Sequence, residues 1–121
     1  MELTGEGAGR RPEALASISA RAGVRIVAST GLYVESSWPS RAPASADRLA
    51  SWMVGEVRRG IGESGIRAGH IGEIGITDLS ERQRELLIGA ALAAEETGAA
   101  MTVHPGFAPG SDGRAIWRAL R

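Results

Sequence analysis

The chain is 121 residues long, room for one domain, and its 14 basic and 14 acidic residues cancel to zero formal charge. That balance argues against nucleic acid or an anionic membrane surface as a partner. Every basic residue is arginine and there is no cysteine, which excludes disulfides, thiolate metal sites and lysine ligands.

No segment approaches the ~20 apolar residues of a membrane helix. Met1-Glu2-Leu3 does not open a signal peptide, so a cytoplasmic location is the default expectation. Aromatic residues make up only 4% of the chain against 17 glycines, a thin core for an independent domain.

Met1 to Thr4 reads as the tail of a strand. Pro12 then opens a helix with Leu15, Ile18 and Ala22 on one face, closed by Gly23. Val24 to Thr30 is short and β-branched, a predicted strand, and Gly31 to Ala44, with Pro39 and Pro43, a long loop. Ser45 is placed to cap a helix whose Leu49, Trp52, Met53 and Val57 share a face, with Gly60 stopping it.

His70 to Ile76 reads as a buried strand. Ser80 and Gln83 have capping-box spacing for a helix running to about Thr97, with Gly98 beyond it. Ala100 to His104 is the next predicted strand, Pro105 to Gly113 a loop, and Arg114 starts a final helix. Strands alternating with helices imply a parallel sheet with helical crossovers. It can close as a small doubly wound sheet or form an arc of a (β/α)8 barrel, and a whole barrel needs ~250 residues.

In either architecture the chemistry sits at the carboxyl ends of the strands. Glu73 lies in one predicted strand and His104 ends the next, and both residue types are ligands for zinc, manganese or iron. The plainer readings are a hydrogen-bonding or helix-capping glutamate and a structural histidine. His70, at the start of its strand, belongs to the end away from the chemistry and reads as structural or exposed. Gly60 with Gly62, and Gly72 with Gly75, lack the strand–loop–helix context of a phosphate loop, and Ser36 and Ser37 lack a nucleophile elbow.

Four stretches together resemble the phosphotriesterase family of the amidohydrolase superfamily. They are Gly9 to Leu15 (GRRPEAL), Thr30 to Glu35 (TGLYVE), Gly65 to Gly75 (GIRAGHIGEIG) and Val103 to Gly106 (VHPG), in order and with matching spacing. The resemblance implies a metal-dependent hydrolase on a TIM barrel, with two divalent ions, commonly zinc, bridged by a residue of the family's fourth strand. Here that bridging position maps to Glu73, the fifth-strand histidine ligand to His104, and a pocket-lining aromatic residue to Tyr33. The implied substrate is a small ester, lactone or phosphoester attacked by metal-activated hydroxide, with a homodimer of the complete protein open as an assembly.

The family's first-strand His-x-His pair and its sixth- and eighth-strand ligands have no counterpart here. Residues 1–121 are therefore expected to be a partial, inactive piece of one such domain, covering about strands two to five of the barrel. A small non-catalytic α/β binding or interaction module is the competing expectation, which metal content would separate.

Overall fold

The computed structural model describes residues 1–106 and 113–121. Its elements alternate as the sequence pattern requires. Helix α1 (Pro12–Ala22) precedes strand β1 (Ser29–Thr30), and a single 3₁₀ turn (Glu35–Ser37) leads to helix α2 (Ala46–Arg58). Strand β2 (His70–Ile76), helix α3 (Glu81–Thr97), strand β3 (Met101–Pro105) and helix α4 (Gly113–Ala119) follow.

The three strands are parallel and stand in the order β1-β2-β3, so chain neighbours are also sheet neighbours. Ile71, Ile74 and Ile76 of β2 are buried in one cluster with Leu49 and Met53 of α2 and Leu86, Leu87 and Ala90 of α3. Both crossover helices therefore cover the same face of the sheet. Right-handed crossovers between consecutively ordered parallel strands place both helices on one side, the arrangement in which a barrel keeps all its helices outside. The architecture is an arc of a (β/α)8 barrel, and this cluster is its outer core, each buried aliphatic side chain contributing roughly 1.5–3 kcal/mol.

The helix starts show how neighbours replace local chemistry. α2 begins after Ser45 as expected, but Ser45 makes no side-chain cap. The Ala46 amide instead donates to Glu85 Oε2 of α3 at 2.6 Å, tying the two helices together. At α3 the Ser80 hydroxyl accepts from the Gln83 amide at 3.4 Å, the first half of a capping box. The second half is diverted: Gln83 Oε1 accepts from the amides of Thr77 and Asp78 at 2.7 and 3.1 Å. Gln83 is buried there and anchors the carboxyl end of β2.

Two expected strands shrink. Of Val24 to Thr30 only Ser29–Thr30 joins the ladder, because β2 starts at His70, in register with Ser29. Upstream, the Ala28 carbonyl still accepts from the Gly69 amide at 2.9 Å, while Val24 and Val27 are exposed. Met1 to Thr4 forms no strand. It runs beside β1, with the Glu2 amide donating to the Val27 carbonyl at 2.9 Å.

The predicted apolar face of α1 is only partly used. Leu15 packs on the small cluster of Ala28, Ile61 and Ala68, but Ile18 is 52% exposed. Of the loop expected over Pro105 to Gly113, Pro105 extends β3 and Gly113 begins α4, while residues 107–112 lie outside the described residues.

Candidate metal and substrate site

Glu73 and His104 meet on the sheet face opposite the helices. What brings Glu73 there is an irregularity in β2. Ile71 pairs with Met101 but Ile74 with Val103, so β2 holds one more residue than β3 across this stretch. Such a bulge re-aims side chains. It allows Ile71 and Ile74 both to face the helices while Glu73 faces the other way. Gly72 takes the strained backbone, with φ at 131°, and a Cβ there would lie 2.6 Å from the Thr102 carbonyl oxygen. The Glu73 amide is held in turn by the Leu3 carbonyl at 3.4 Å.

Beyond the bulge Gly75 is in register with His104, and in-register residues of parallel strands point the same way. Glycine at 75 leaves room for the Tyr33 backbone, since a Cβ there would lie 2.6 Å from the Tyr33 carbonyl carbon. His104 Nδ1 lies 2.8 Å from Glu73 Oε1, with both side chains partly buried. A carboxylate oxygen accepts, so in the tautomer that donates here the proton lies on Nδ1 and the Nε2 lone pair is left for another partner.

Tyr33 closes the third side. Its ring meets the His104 ring edge-on, with centroids 5.4 Å apart at 73°. A cavity of about 360 Å³ lies alongside, lined by Tyr33, Glu73 and the segment Glu2 to Gly5 with Ala8. Glu2 adds a second carboxylate to its wall, with Oε1 accepting from the Thr4 amide at 3.0 Å. A larger cleft of about 890 Å³ lies away from this group, between the Gly7–Glu13 segment and α2.

His70 sits on the same inner face as a structural residue, buried and bonded through Nε2 to Thr102 Oγ1 at 2.9 Å. Burial lowers its pKa, and the charged amino terminus lowers it further. It is not an exposed histidine.

Carboxylate oxygen and imidazole nitrogen are the donor types that zinc takes. Glu73 and His104 fit as part of such a coordination shell. Among the described residues no group of three or more His, Cys, Asp or Glu side chains stands together. The pair alone does not complete a shell.

Sequence reasoning missed two parts of the surroundings. One is a buried ion pair: Arg10 Nη1 and Nη2 donate to Glu56 Oε2 and Oε1 at 2.6 and 2.8 Å, and Arg10 Nη1 also to the Ser29 carbonyl at 3.1 Å. This fixes the segment before α1 against α2 and the start of β1. The available signal was an acidic residue at position 56, one step from Val57 on the apolar stripe of α2. The other is Trp38, whose indole Nε1 donates to the Tyr33 carbonyl at 2.8 Å. No local pattern distinguishes that tryptophan in the sequence.

Consecutive parallel strands, helices on the outer face and a carboxylate–imidazole pair on the inner face define a segment of an α/β-barrel protein. The chain belongs to the phosphotriesterase family, whose model matches residues 1–119. It is 32% identical over 110 residues to the phosphotriesterase homology protein of Escherichia coli K12, covering 88% of this chain and 38% of that protein. Over 113 residues it is 31% identical to the N-acetyltaurine hydrolase of Mus musculus, covering 92% of this chain and 32% of that one. It superposes on the crystal structure of the Escherichia coli phosphotriesterase homology protein, complexed with phosphate in its active site, with a TM-score of 0.87. That match is 30% identical and covers 98% of this chain and 41% of the other. The chain thus spans roughly a third to two fifths of the relatives it matches.

Proposed function

We propose that residues 1–121 form one arc of a single metal-dependent hydrolase domain, with Glu73 and His104 holding divalent metal and Tyr33 lining the substrate pocket. The observation that supports this most is the approach of Glu73 Oε1 and His104 Nδ1 to 2.8 Å on the inner face of adjacent parallel strands. Two zinc ions suit this donor chemistry and the family. When bound, such ions lower the pKa of water and polarise the bond under attack. Within this chain, Glu73 supplies negative charge and lone pairs, His104 supplies one neutral nitrogen, and Tyr33 forms an apolar wall beside them.

The substrate class is a small ester, lactone or phosphoester. The phosphate held by the Escherichia coli relative supports the phosphoester reading, and the N-acetyltaurine hydrolase of mouse widens the acyl class toward N-acetyl compounds. No described helix is long and apolar enough to cross a membrane. A cytoplasmic location and a homodimer of the complete protein belong to the same proposal.

The second reading is a non-catalytic α/β binding module, favoured by the lack of a third ligand beside the pair among the described residues. Zinc titration of the purified chain, followed calorimetrically, separates the two. Weak zinc binding that Glu73→Gln and His104→Ala each abolish, with no esterase or lactonase turnover, is the expected result for an incomplete site. Binding indifferent to both substitutions would overturn the metal assignment. Tight binding of two equivalents would overturn its incompleteness.

A further inference from the structure

Tyr33 occupies its place because of contacts from two directions. From below, β2 presses on its backbone: a Cβ at Gly75 would lie 2.6 Å from the Tyr33 carbonyl carbon and 2.8 Å from its oxygen. From above, the same oxygen accepts the Trp38 indole N–H at 2.8 Å. Trp38 is itself held. The Arg82 guanidinium carbon lies 4.9 Å from the Trp38 ring centroid, within cation–π range. Arg82 Nη1 donates to Glu35 Oε1 at 3.0 Å, and the Ser80 hydroxyl donates to Glu35 Oε2 at 3.3 Å.

These partners come from different parts of the chain. Tyr33, Glu35 and Trp38 belong to the connection after β1, whereas Ser80 and Arg82 open α3, just beyond the strand that carries Glu73. The loop bearing the pocket aromatic is thus fastened to the end of the strand bearing the carboxylate. The Ser37 amide and hydroxyl both donate to the Val34 carbonyl, at 2.8 and 2.7 Å, which stiffens the turn between Tyr33 and Trp38.

We infer that Trp38, locked by Arg82 and Glu35, is a positioning residue that holds Tyr33 edge-on to His104 and so sets the wall of the substrate pocket. The inference rests on the site assignment proposed above. The contacts run from Arg82 to Trp38 and from Trp38 to Tyr33, so Trp38 acts through Tyr33. The indole N–H fixes the Tyr33 carbonyl, and with it the backbone from which the phenol ring projects toward His104. Arg82 provides the cation that keeps the indole plane in place.

The chain has a single tyrosine, so fluorotyrosine labelling of the full chain gives one fluorine resonance, at Tyr33. His104→Ala defines the shift caused by removing the imidazole edge, and urea defines the unfolded position. Trp38→Phe keeps an aromatic ring under Arg82 but removes the N–H, and is expected to move the resonance toward the His104→Ala position. Arg82→Ala should move it the same way, while Arg82→Lys, which keeps a cation over the ring, restores the wild-type shift. A resonance at the wild-type position in Trp38→Phe, with unfolding unchanged, overturns the inference. Collapse of both Trp38→Phe and Arg82→Ala to the unfolded position overturns it too, since the contacts would then serve only the fold. The zinc titration of Glu73→Gln and His104→Ala tests the underlying site assignment separately. If that assignment fails while the fluorine shifts behave as expected, Trp38 still positions Tyr33 but the link to hydrolysis is lost.

Discussion

Replacing Glu56 by glutamine removes one charge of the Arg10–Glu56 pair while keeping its shape. Both side chains are nearly inaccessible, at 5% and 6% relative exposure. The glutamine can offer one oxygen where the carboxylate now accepts both guanidinium nitrogens, at 2.6 and 2.8 Å. Breaking a buried pair by removing one partner costs roughly 3–5 kcal/mol, because the remaining charge stays desolvated. Here the guanidinium keeps the Ser29 carbonyl at 3.1 Å and the partly exposed Glu6 at 3.4 Å. Those remaining acceptors place the expected loss at the lower end, about 3 kcal/mol. With a urea slope of roughly 1–3 kcal/mol per molar, the unfolding midpoint should fall by about 1–3 M. Circular dichroism of both proteins across a urea series measures it. A loss within about 0.5 kcal/mol, the value of an exposed pair, would refute the claim that this pair is structural. Replacing both residues together, Arg10→Met with Glu56→Leu, should recover most of the loss, since an apolar pair leaves no buried charge behind.

Ile74→Ala should cost roughly 2–5 kcal/mol in the same titration, because Ile74 is fully buried between the sheet and the crossover helices. Gly75→Ala forces a methyl group onto the Tyr33 carbonyl, costing about 1–3 kcal/mol by overpacking and moving the fluorotyrosine resonance as Trp38→Phe does. His70 gives a pH signature. Its folded pKa is lowered by burial and by the amino terminus, so the unfolded chain binds the proton more readily. Its contribution is complete above the unfolded value of about 6.5 and is lost as pH falls from there toward the depressed folded pKa. Urea midpoints between neutral and mildly acidic pH should fall less steeply in His70→Gln than in wild type, and equal slopes would count against the assignment.

The element order and the parallel arrangement were readable because they depend on periodicity and local stop signals. Pro12 and Gly23 bound α1, and the isoleucines of His70 to Ile76 mark β2, without reference to anything distant. Glu73, His104 and Tyr33 could be singled out too, as residue types in or beside predicted strands with family-like flanks. Their juxtaposition was not readable. Strict alternation along β2 would put Glu73 on the face of Ile71. Only pairing with β3 inserts the extra residue that turns Glu73 to His104. In the same way, the acceptor for the Ala46 amide is Glu85, 39 positions away in the chain, rather than Ser45 beside it. Trp38 finds its role through Arg82, a residue of another helix. Such contacts join segments far apart in sequence, and the energies that select them arise only when those segments pack. The sequence by itself determined which segments would be strands and helices and which residues could bind metal. The tertiary structure decided which of those residues meet.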